Sequence, residues 1–392
     1  MKMNGISILI VSHSYPPVLG GSEVEGQRVA ALLRARGHRV RVICAANPEM
    51  TWHGEGSDEA GTPVRVEGWG KGRILDWSFA LCVFWRMWVE RGNYDVVYFL
   101  MQGVHVVTGL AAGRMMGKAM VMKISGSGLI PPMRRSLLGR LQLEWLERWG
   151  SALMLLNEGM MAEAREAGIS PGKMVWMPNP VDCEEFRPLA GEEERRQLKA
   201  RLGMEADQLY VVFVGRLSPE KELGSLLGGM KILAGRMAGV RLLIVGDGPQ
   251  REILEQRVKE EGLAVDFAGR QPMNRVREYM QAADVFALVS RLEGFPCSLV
   301  EAMACGLPAL VSRIPANEQL IEEGKEGHFF EVRDEEQLAL GLERMLQNKA
   351  ASWAMGQAGR ERVRSNFDYL STARRYEELL GGAIEAKKKA WK

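Results

Sequence analysis

The residues of this chain best suited to chemistry gather in two stretches of its second half. The first is Gly215-Arg216-Leu217-Ser218-Pro219-Glu220-Lys221, where two cations flank a point at which Ser218 suits a helix N-cap and Pro219 the first helical position. The second runs from Ser290 to Pro308 and holds Glu293 and Glu301 around Gly294-Phe295-Pro296-Cys297-Ser298-Leu299, with a short helix expected to begin near Ser298. Unsatisfied backbone N–H groups at a helix start attract anions. Arg216, Lys221 and the N–H groups of Ser298 and Leu299 therefore suit a diphosphate. A charge-assisted hydrogen bond contributes roughly 1.5–3 kcal/mol, so two cations and a helix end could hold that group without a metal. Glu293 and Glu301 suit the hydroxyls of a sugar, since a carboxylate without a partner is costly in an otherwise apolar helix-loop. Gly246-Asp247-Gly248-Pro249 forms a third loop, in which glycine lets the backbone approach a ligand or reverse the chain. Arg251 stands where the third glycine of Gly-x-Gly-x-x-Gly would fall, which disfavours a nicotinamide dehydrogenase.

Loops of this kind work when strands end behind them, because ligands of open α/β sheets bind beyond the carboxyl ends of the strands. Strands are predicted at Tyr210 to Val214, Arg241 to Val245, Val265 to Ala268, Val285 to Val289, Ala309 to Val311 and Phe329 to Val332, with helical segments between them. The first half alternates in the same way. Ile6 to Val11 and Arg39 to Ala45 bracket a helix from about Ser22 to Arg36, whose start carries a Ser22/Glu25 capping box. Further strands are expected at Val96 to Leu100, Ala119 to Ile124 and Ala152 to Leu156. The alternation breaks at Pro178-Asn179-Pro180-Val181-Asp182, which is read as the linker. The fold class is α/β, with parallel sheets covered by helices on both faces.

A chain of 392 residues is long enough for two ordinary domains. Its 51 Lys and Arg against 49 Asp and Glu leave a formal charge of +2, so no global basic field points to nucleic acid. The 5 cysteines are scattered, without a Cys-x-x-Cys pair, which suits a reducing cytoplasm, and the first residues lack the pattern of a signal peptide. The most apolar stretch, Ile74 to Val89, contains Asp76 and Arg86 and is too short to span a bilayer. His13, His38, His53 and His328 show no ligand-gathering spacing, so no metal site is expected.

Glu293 and Glu301 form a Glu-x7-Glu motif, and with Gly215-Arg216 and Lys221 ahead of it the chain resembles the family 4 retaining glycosyltransferases of the GT-B fold. The likeness extends to Gly20-Gly21 after Pro16-Pro17, to the Pro178–Asp182 segment with Phe186, and to Glu318 after the next strand. It implies two Rossmann-like domains facing a cleft: an acceptor-binding domain over 1–185, a nucleotide-sugar domain over 186–369, and a C-terminal helix over about 370–392 packing back on the first. It further implies that Arg216 and Lys221 hold the donor diphosphate, that Glu301 holds the ribose hydroxyls, and that Glu293 with Gly294 to Cys297 contacts the transferred sugar. Gly20 and Gly21 would lie near the phosphate, Gly246 in the donor loop, and Arg270 in the base-recognition segment Gly269-Arg270-Gln271-Pro272. Transfer with retention of a hexose or N-acetylhexosamine to a glycan, lipid-linked or small-molecule acceptor follows, with no metal or other cofactor and with leaving-group charge stabilised by the cations.

The chain departs from that pattern in places. Ser125 falls where many members carry a sugar-contacting histidine, and His105, after an earlier strand, is the candidate to compensate. Glu222 follows Lys221, and Pro180 stands in the linker, where glycine is common. Residues 133–149 mix Arg134, Arg135 and Arg140 with leucines and tryptophans, a composition suited to peripheral contact with an anionic membrane or to a helix with its apolar face in the core. The rival readings are a sugar-nucleotide epimerase of the same fold and a non-catalytic sugar-nucleotide-binding partner protein.

Overall fold

Apolar runs rich in Val, Ile and Leu become two separate parallel sheets. The computed structural model describes residues 5–16, 21–46, 54–58 and 60–391. It divides into one unit of Met1–Pro180 with Tyr369–Lys392 and a second of Val181–Asp368.

The first unit holds an eight-stranded sheet. Its strands are β1 (Ser7–Ser12), β2 (Arg39–Ala45), β3 (Gly54–Ser57), β4 (Pro63–Glu67), β5 (Val96–Phe99), β6 (Ala119–Lys123), β7 (Ala152–Leu155) and β8 (Met174–Trp176), in the order β3-β4-β2-β1-β5-β6-β7-β8. All neighbouring pairs are parallel except β3 with β4. That edge pair and β8 were not expected. Gly-Glu-Gly-Ser has no intrinsic preference for a strand, and β3 exists because β4 offers it a free edge. Its helices are α1 (Gly21–Ala35), α2 (Arg73–Val89), α3 (Val104–Met115), α4 (Ile130–Arg135), α5 (Leu137–Trp149) and α6 (Glu158–Glu166). Side chains alternate across the strands, so Ile8, Ile10, Val42, Tyr98 and Val121 meet Val29 and Leu33 of α1 on one face. Helix α2 packs on α3, and α3 on α5.

The second unit holds six parallel strands: β9 (Leu209–Val214), β10 (Val240–Val245), β11 (Val265–Gly269), β12 (Val285–Leu288), β13 (Ala309–Ser312) and β14 (Gly327–Phe330), ordered β11-β10-β9-β12-β13-β14. Its helices are α7 (Glu192–Arg201), α8 (Leu223–Ala234), α9 (Arg251–Glu261), α10 (Met273–Ala282), α11 (Cys297–Ala304), α12 (Pro315–Glu318), α13 (Glu335–Gln347) and α14 (Lys349–Asn366). The expected strands appear within a residue or two. The largest offset is β14, which starts at Gly327 rather than Phe329 because Gly327 pairs with Ala309, where a Cβ would lie 2.6 Å from the Ala309 carbonyl oxygen.

The last helix, α15 (Tyr369–Trp391), returns to the first unit, where Tyr376, Leu380 and Ile384 join the core beside α1. The Ser22/Glu25 capping box is corrected here. Helix α1 begins at Gly21, and the Glu25 side chain turns into the core, where it accepts from Lys123 Nζ (2.8 Å) and from the Tyr376 hydroxyl (3.0 Å). Lys123 also donates to Asn179 Oδ1 (2.6 Å). One buried polar network thus ties α1, β6, the end of the Pro178–Pro180 segment and α15 together.

Candidate functional site

In the second unit the strand order reverses between β9 and β12, and a reversal opens a crevice at the carboxyl ends of the two strands. The loops after β9 and β12 carry the residues singled out in the sequence. Lys221 Nζ donates to Glu293 Oε1 at 2.6 Å, with the two side chains 18% and 9% exposed. The Ser290 hydroxyl donates to the same carboxylate oxygen, also at 2.6 Å. Glu293 thus arrives held by donors from both loops, a role for Ser290 that the sequence did not signal.

Hydrogen bonds lace the loops along this edge of the sheet. Gly246 N–H donates to Gly269 O (2.9 Å), Leu217 N–H to Asp247 O (3.0 Å) and Arg291 N–H to Glu220 O (3.0 Å), while the Ser312 hydroxyl reaches Ser290 O. The spacing demands glycine at one point. Gly246 has φ 141°, and a Cβ there would lie 1.9 Å from Gly215 O. The loop that presents Arg216 therefore rests on the loop after β10, and its register depends on that contact.

Local structure around the cations differs from the expectation. Pro219–Lys221 form a single 3-10 turn, and α8 starts only at Leu223. Ser218 does not cap. Its hydroxyl donates to Glu220, which holds that carboxyl below its ordinary range. Glu222 adopts the left-handed region (φ 49°), which explains why glycine suits this position. The conformation is held by Arg333, whose Nη2 lies 2.7 Å from Glu222 Oε1, and by Arg291 at 3.2 Å. Arg216 is exposed at the open end of the loop.

Helix α11 starts after Pro296, at Cys297, one residue ahead of the expected Ser298. Its first turn uses the N–H of Cys297 on Phe295 O and the N–H of Leu299 on Pro296 O (2.9 and 3.0 Å). Of the two N–H groups expected to face a phosphate, that of Leu299 is thus engaged. Among the described residues no such bond engages Ser298. The Leu299 side chain is buried, and Glu301, two residues on, is 6% exposed. Arg360 of α14 holds the other end of α11 by donating to Ala304 O and, at 3.1 Å, to Phe186 O. Phe295 packs edge-on against Phe367 (5.9 Å). Gly294 and Pro296 complete this loop, whereas Arg270 lies exposed after β11, beyond the Gly246–Gly269 hydrogen bond. Glu318 ends α12 and faces Arg313 at 3.6 Å.

The sites expected on the first unit fare differently. Gly20 lies outside the described residues, as does His53, and Gly21 opens α1. Ser125 donates to Gln102 Oε1 at 3.3 Å. His105 is 1% exposed, with its ring between Phe79 (5.3 Å) and His13 (6.3 Å) and its Nε2 without a hydrogen-bond partner among the described residues. Burial pushes its pKa down to about 3, with the neighbouring His13 adding to the effect. The ring is thus enclosed and neutral in the fold, rather than presented on the surface. The half-buried histidine beside it is His13, whose Nε2 lies 2.9 Å from Asp76 Oδ1. Among the described residues no group of three or more His, Cys, Asp or Glu side chains gathers as a metal site. In 133–149, Gln142, Leu143 and Leu146 turn inward, while Leu137, Leu138, Arg134, Arg135 and Arg140 face solvent.

Comparison with known proteins places the two units side by side with described families. Residues 194–362 match the glycosyl transferases group 1 family, and residues 20–180 match the glycosyl transferase 4-like domain. A GDP-mannose-dependent alpha-(1-6)-phosphatidylinositol monomannoside mannosyltransferase of Mycolicibacterium smegmatis is 30% identical over 220 residues, 54% of this chain and 57% of that relative. The N-acetyl-alpha-D-glucosaminyl L-malate synthase of Bacillus anthracis is 23% identical over 93% of this chain and 94% of that one. Among solved structures, the Anabaena protein HepE in complex with UDP-glucose superposes with a TM-score of 0.79 at 21% identity, covering 96% of this chain and 100% of that one.

Proposed function

Because the chain belongs to the family 4 glycosyltransferases and has their GT-B fold, we propose that it transfers a hexose or N-acetylhexosamine, with retention, from a nucleotide diphosphate sugar to a glycan, lipid-linked or small-molecule acceptor. The observation that carries this reading is the Lys221–Glu293 pair at the strand-order reversal, with Arg216 exposed on the same loop as Lys221. Lys221 is poised to exchange its carboxylate partner for a diphosphate, and Glu293, held by Ser290, is then available to the hydroxyls of the transferred sugar. Arg216 and Lys221 would stabilise the charge that develops on the leaving diphosphate, which makes electrostatic stabilisation the main catalytic term and leaves no role for a bound metal. Glu301 would serve the ribose.

The relatives support the range of acceptors, from a phosphatidylinositol monomannoside to malate, and the HepE complex supports a uridine donor among the nucleotides to be tried first. A lipid-linked acceptor entails work at the cytoplasmic face of a membrane, with peripheral contact through 133–149, where Leu137 and Leu138 stand exposed among arginines. The test is release of free nucleoside diphosphate across a panel of donors and acceptors. Donor- and acceptor-dependent release that disappears in Glu293→Ala and Arg216→Ala supports the proposal. Tight nucleotide binding with no transfer from any pair, or a change in the sugar without any acceptor, overturns it.

A further inference from the structure

Helix α2 carries large apolar side chains on two opposite sides, although only one of them is covered. Phe79, Ala80, Val83 and Met87 lie fully buried against the first unit. Ile74, Trp77, Leu81, Trp85 and Trp88 form a stripe on the opposite side, at 65%, 47%, 61%, 61% and 39% exposure. Their spacing of three and four residues puts them on one face. Trp69, 62% exposed, extends the stripe from the preceding loop. That loop is built to hold it there. Gly68, Gly70 and Gly72 take positive φ, and the buried Ser78 hydroxyl bonds both the N–H (2.9 Å) and the carbonyl (2.8 Å) of Trp69. Four of the 10 tryptophans of the chain thus stand on one surface, far more apolar area than a solvated helix presents.

The charges around this face have one sign. The acids of the segment stand off the stripe: Asp76 shares the helix side of Phe79, Ala80 and Val83, where it is hydrogen-bonded to His13, and Glu90 is paired with Arg41. Arg86 is engaged with Glu67. The exposed charges left at the two ends of the stripe are Lys71 and Arg73 on one side and Arg91 on the other, with the Arg91 guanidinium 5.6 Å from the Trp88 ring centre. Indole rings favour the boundary between headgroup and acyl chain, and flanking cations favour anionic headgroups. A symmetric pairing of two copies through the same stripe would bring these cation-bearing ends together, which opposes self-association through this face.

We propose that the outer face of α2, with Trp69, is a docking surface for an anionic lipid bilayer, the tryptophans entering the interface and Lys71, Arg73 and Arg91 meeting the headgroups. This deepens the lipid-linked part of the acceptor range and rests on that reading for its purpose only, since the surface is tested without any sugar nucleotide. It is also distinct from 133–149, where Arg134 is paired with Glu166 and the exposed Glu144 interrupts the basic face.

The experiment is co-sedimentation of the full chain with phosphatidylcholine vesicles containing half phosphatidylglycerol, and quenching of its tryptophan fluorescence by bromolipid in the same vesicles. The wild type is expected to bind, with binding weakened at least tenfold in pure phosphatidylcholine or at high salt. Trp77→Ser/Trp85→Ser is expected to lose at least tenfold in partitioning and most of the quenching, with an unchanged unfolding temperature. Arg73→Glu/Arg91→Glu, which leaves the helix packing untouched, is expected to lose anionic-vesicle binding as well. The proposal is overturned if the wild type does not bind anionic vesicles, or if only Leu137→Ser/Leu138→Ser loses binding. It is equally overturned if the wild type is a lipid-free dimer that Trp77→Ser/Trp85→Ser converts to monomer.

Discussion

The Lys221–Glu293 pair makes a prediction of opposite sign for its two partners. Lys221 Nζ sits 2.6 Å from the carboxylate, in a place where both side chains are largely withdrawn from water. If Lys221 is the group that grips a diphosphate, Lys221→Met removes one charge-assisted hydrogen bond from the bound state, about 1.5–3 kcal/mol. At 1.4 kcal/mol per tenfold, affinity for the nucleoside diphosphate falls by roughly ten- to 150-fold. Glu293→Gln acts the other way on the same ligand. The amide keeps the size of the side chain and the hydrogen bond from Ser290, but Lys221 no longer leaves a carboxylate to meet the phosphates, and a negative charge near them is gone. The gain is about 1 kcal/mol, the difference between a charged and a neutral partner, or about fivefold tighter binding. On the same assignment transfer falls in both variants, since one loses a cation for the leaving diphosphate and the other a carboxylate for the transferred sugar. Titration calorimetry with whichever of UDP, GDP or ADP binds most tightly reads both numbers. Unchanged affinity in Lys221→Met, or an equal weakening by Glu293→Gln, would refute the assignment of Lys221 to the diphosphate and of Glu293 to the sugar.

Further outcomes follow from the rest of the molecule. Gly246→Ala forces a Cβ to within 1.9 Å of Gly215 O in a conformation that costs a non-glycine residue about 1–3 kcal/mol by itself; calorimetry should show a lower melting temperature, and diphosphate affinity should fall with it. Lys123→Met leaves the Glu25 carboxylate buried without its cation and should cost about 3–5 kcal/mol, whereas Lys123→Met with Glu25→Leu should recover most of it, as denaturant unfolding of the two variants will tell. His105 has its pKa lowered to about 3 in the fold, so its contribution to stability is complete above the unfolded value of about 6.5 and is lost as pH falls toward 3. Between those values it weakens the fold by about 1.4 kcal/mol per pH unit; His105→Leu should flatten the acid side of the stability profile by close to one proton, and an unchanged slope would count against a buried neutral ring.

Much of the candidate site in the second unit was readable because its signals are local. A β-branched run, a glycine-containing loop and a helix start near Ser298 lie within a few residues of one another, and Glu293 and Glu301 are placed by one loop and one helix. The six strands of the second unit were legible for the same reason. Where a segment draws its structure from a partner, the pattern was silent or misleading. Strand β3 depends on β4, the start of β14 on Ala309, and the 3-10 turn at Pro219 on a left-handed Glu222 held by Arg333. The loops of the first unit gave the weakest forecast, since burial decides whether His105 or His13 meets solvent and a lone histidine carries no mark of it.

By itself, then, the amino-acid sequence determined the alternation of strands and helices, the two-domain α/β fold and the family, all properties that short-range spacing encodes. Tertiary structure alone decided which of those residues touch. Lys221 and Glu293 are 72 positions apart, Glu25 and Tyr376 are 351 apart, and the same apolar pattern in α2 could have been buried on every side. Contacts across such distances depend on how the sheets order their strands, and no local preference records that order.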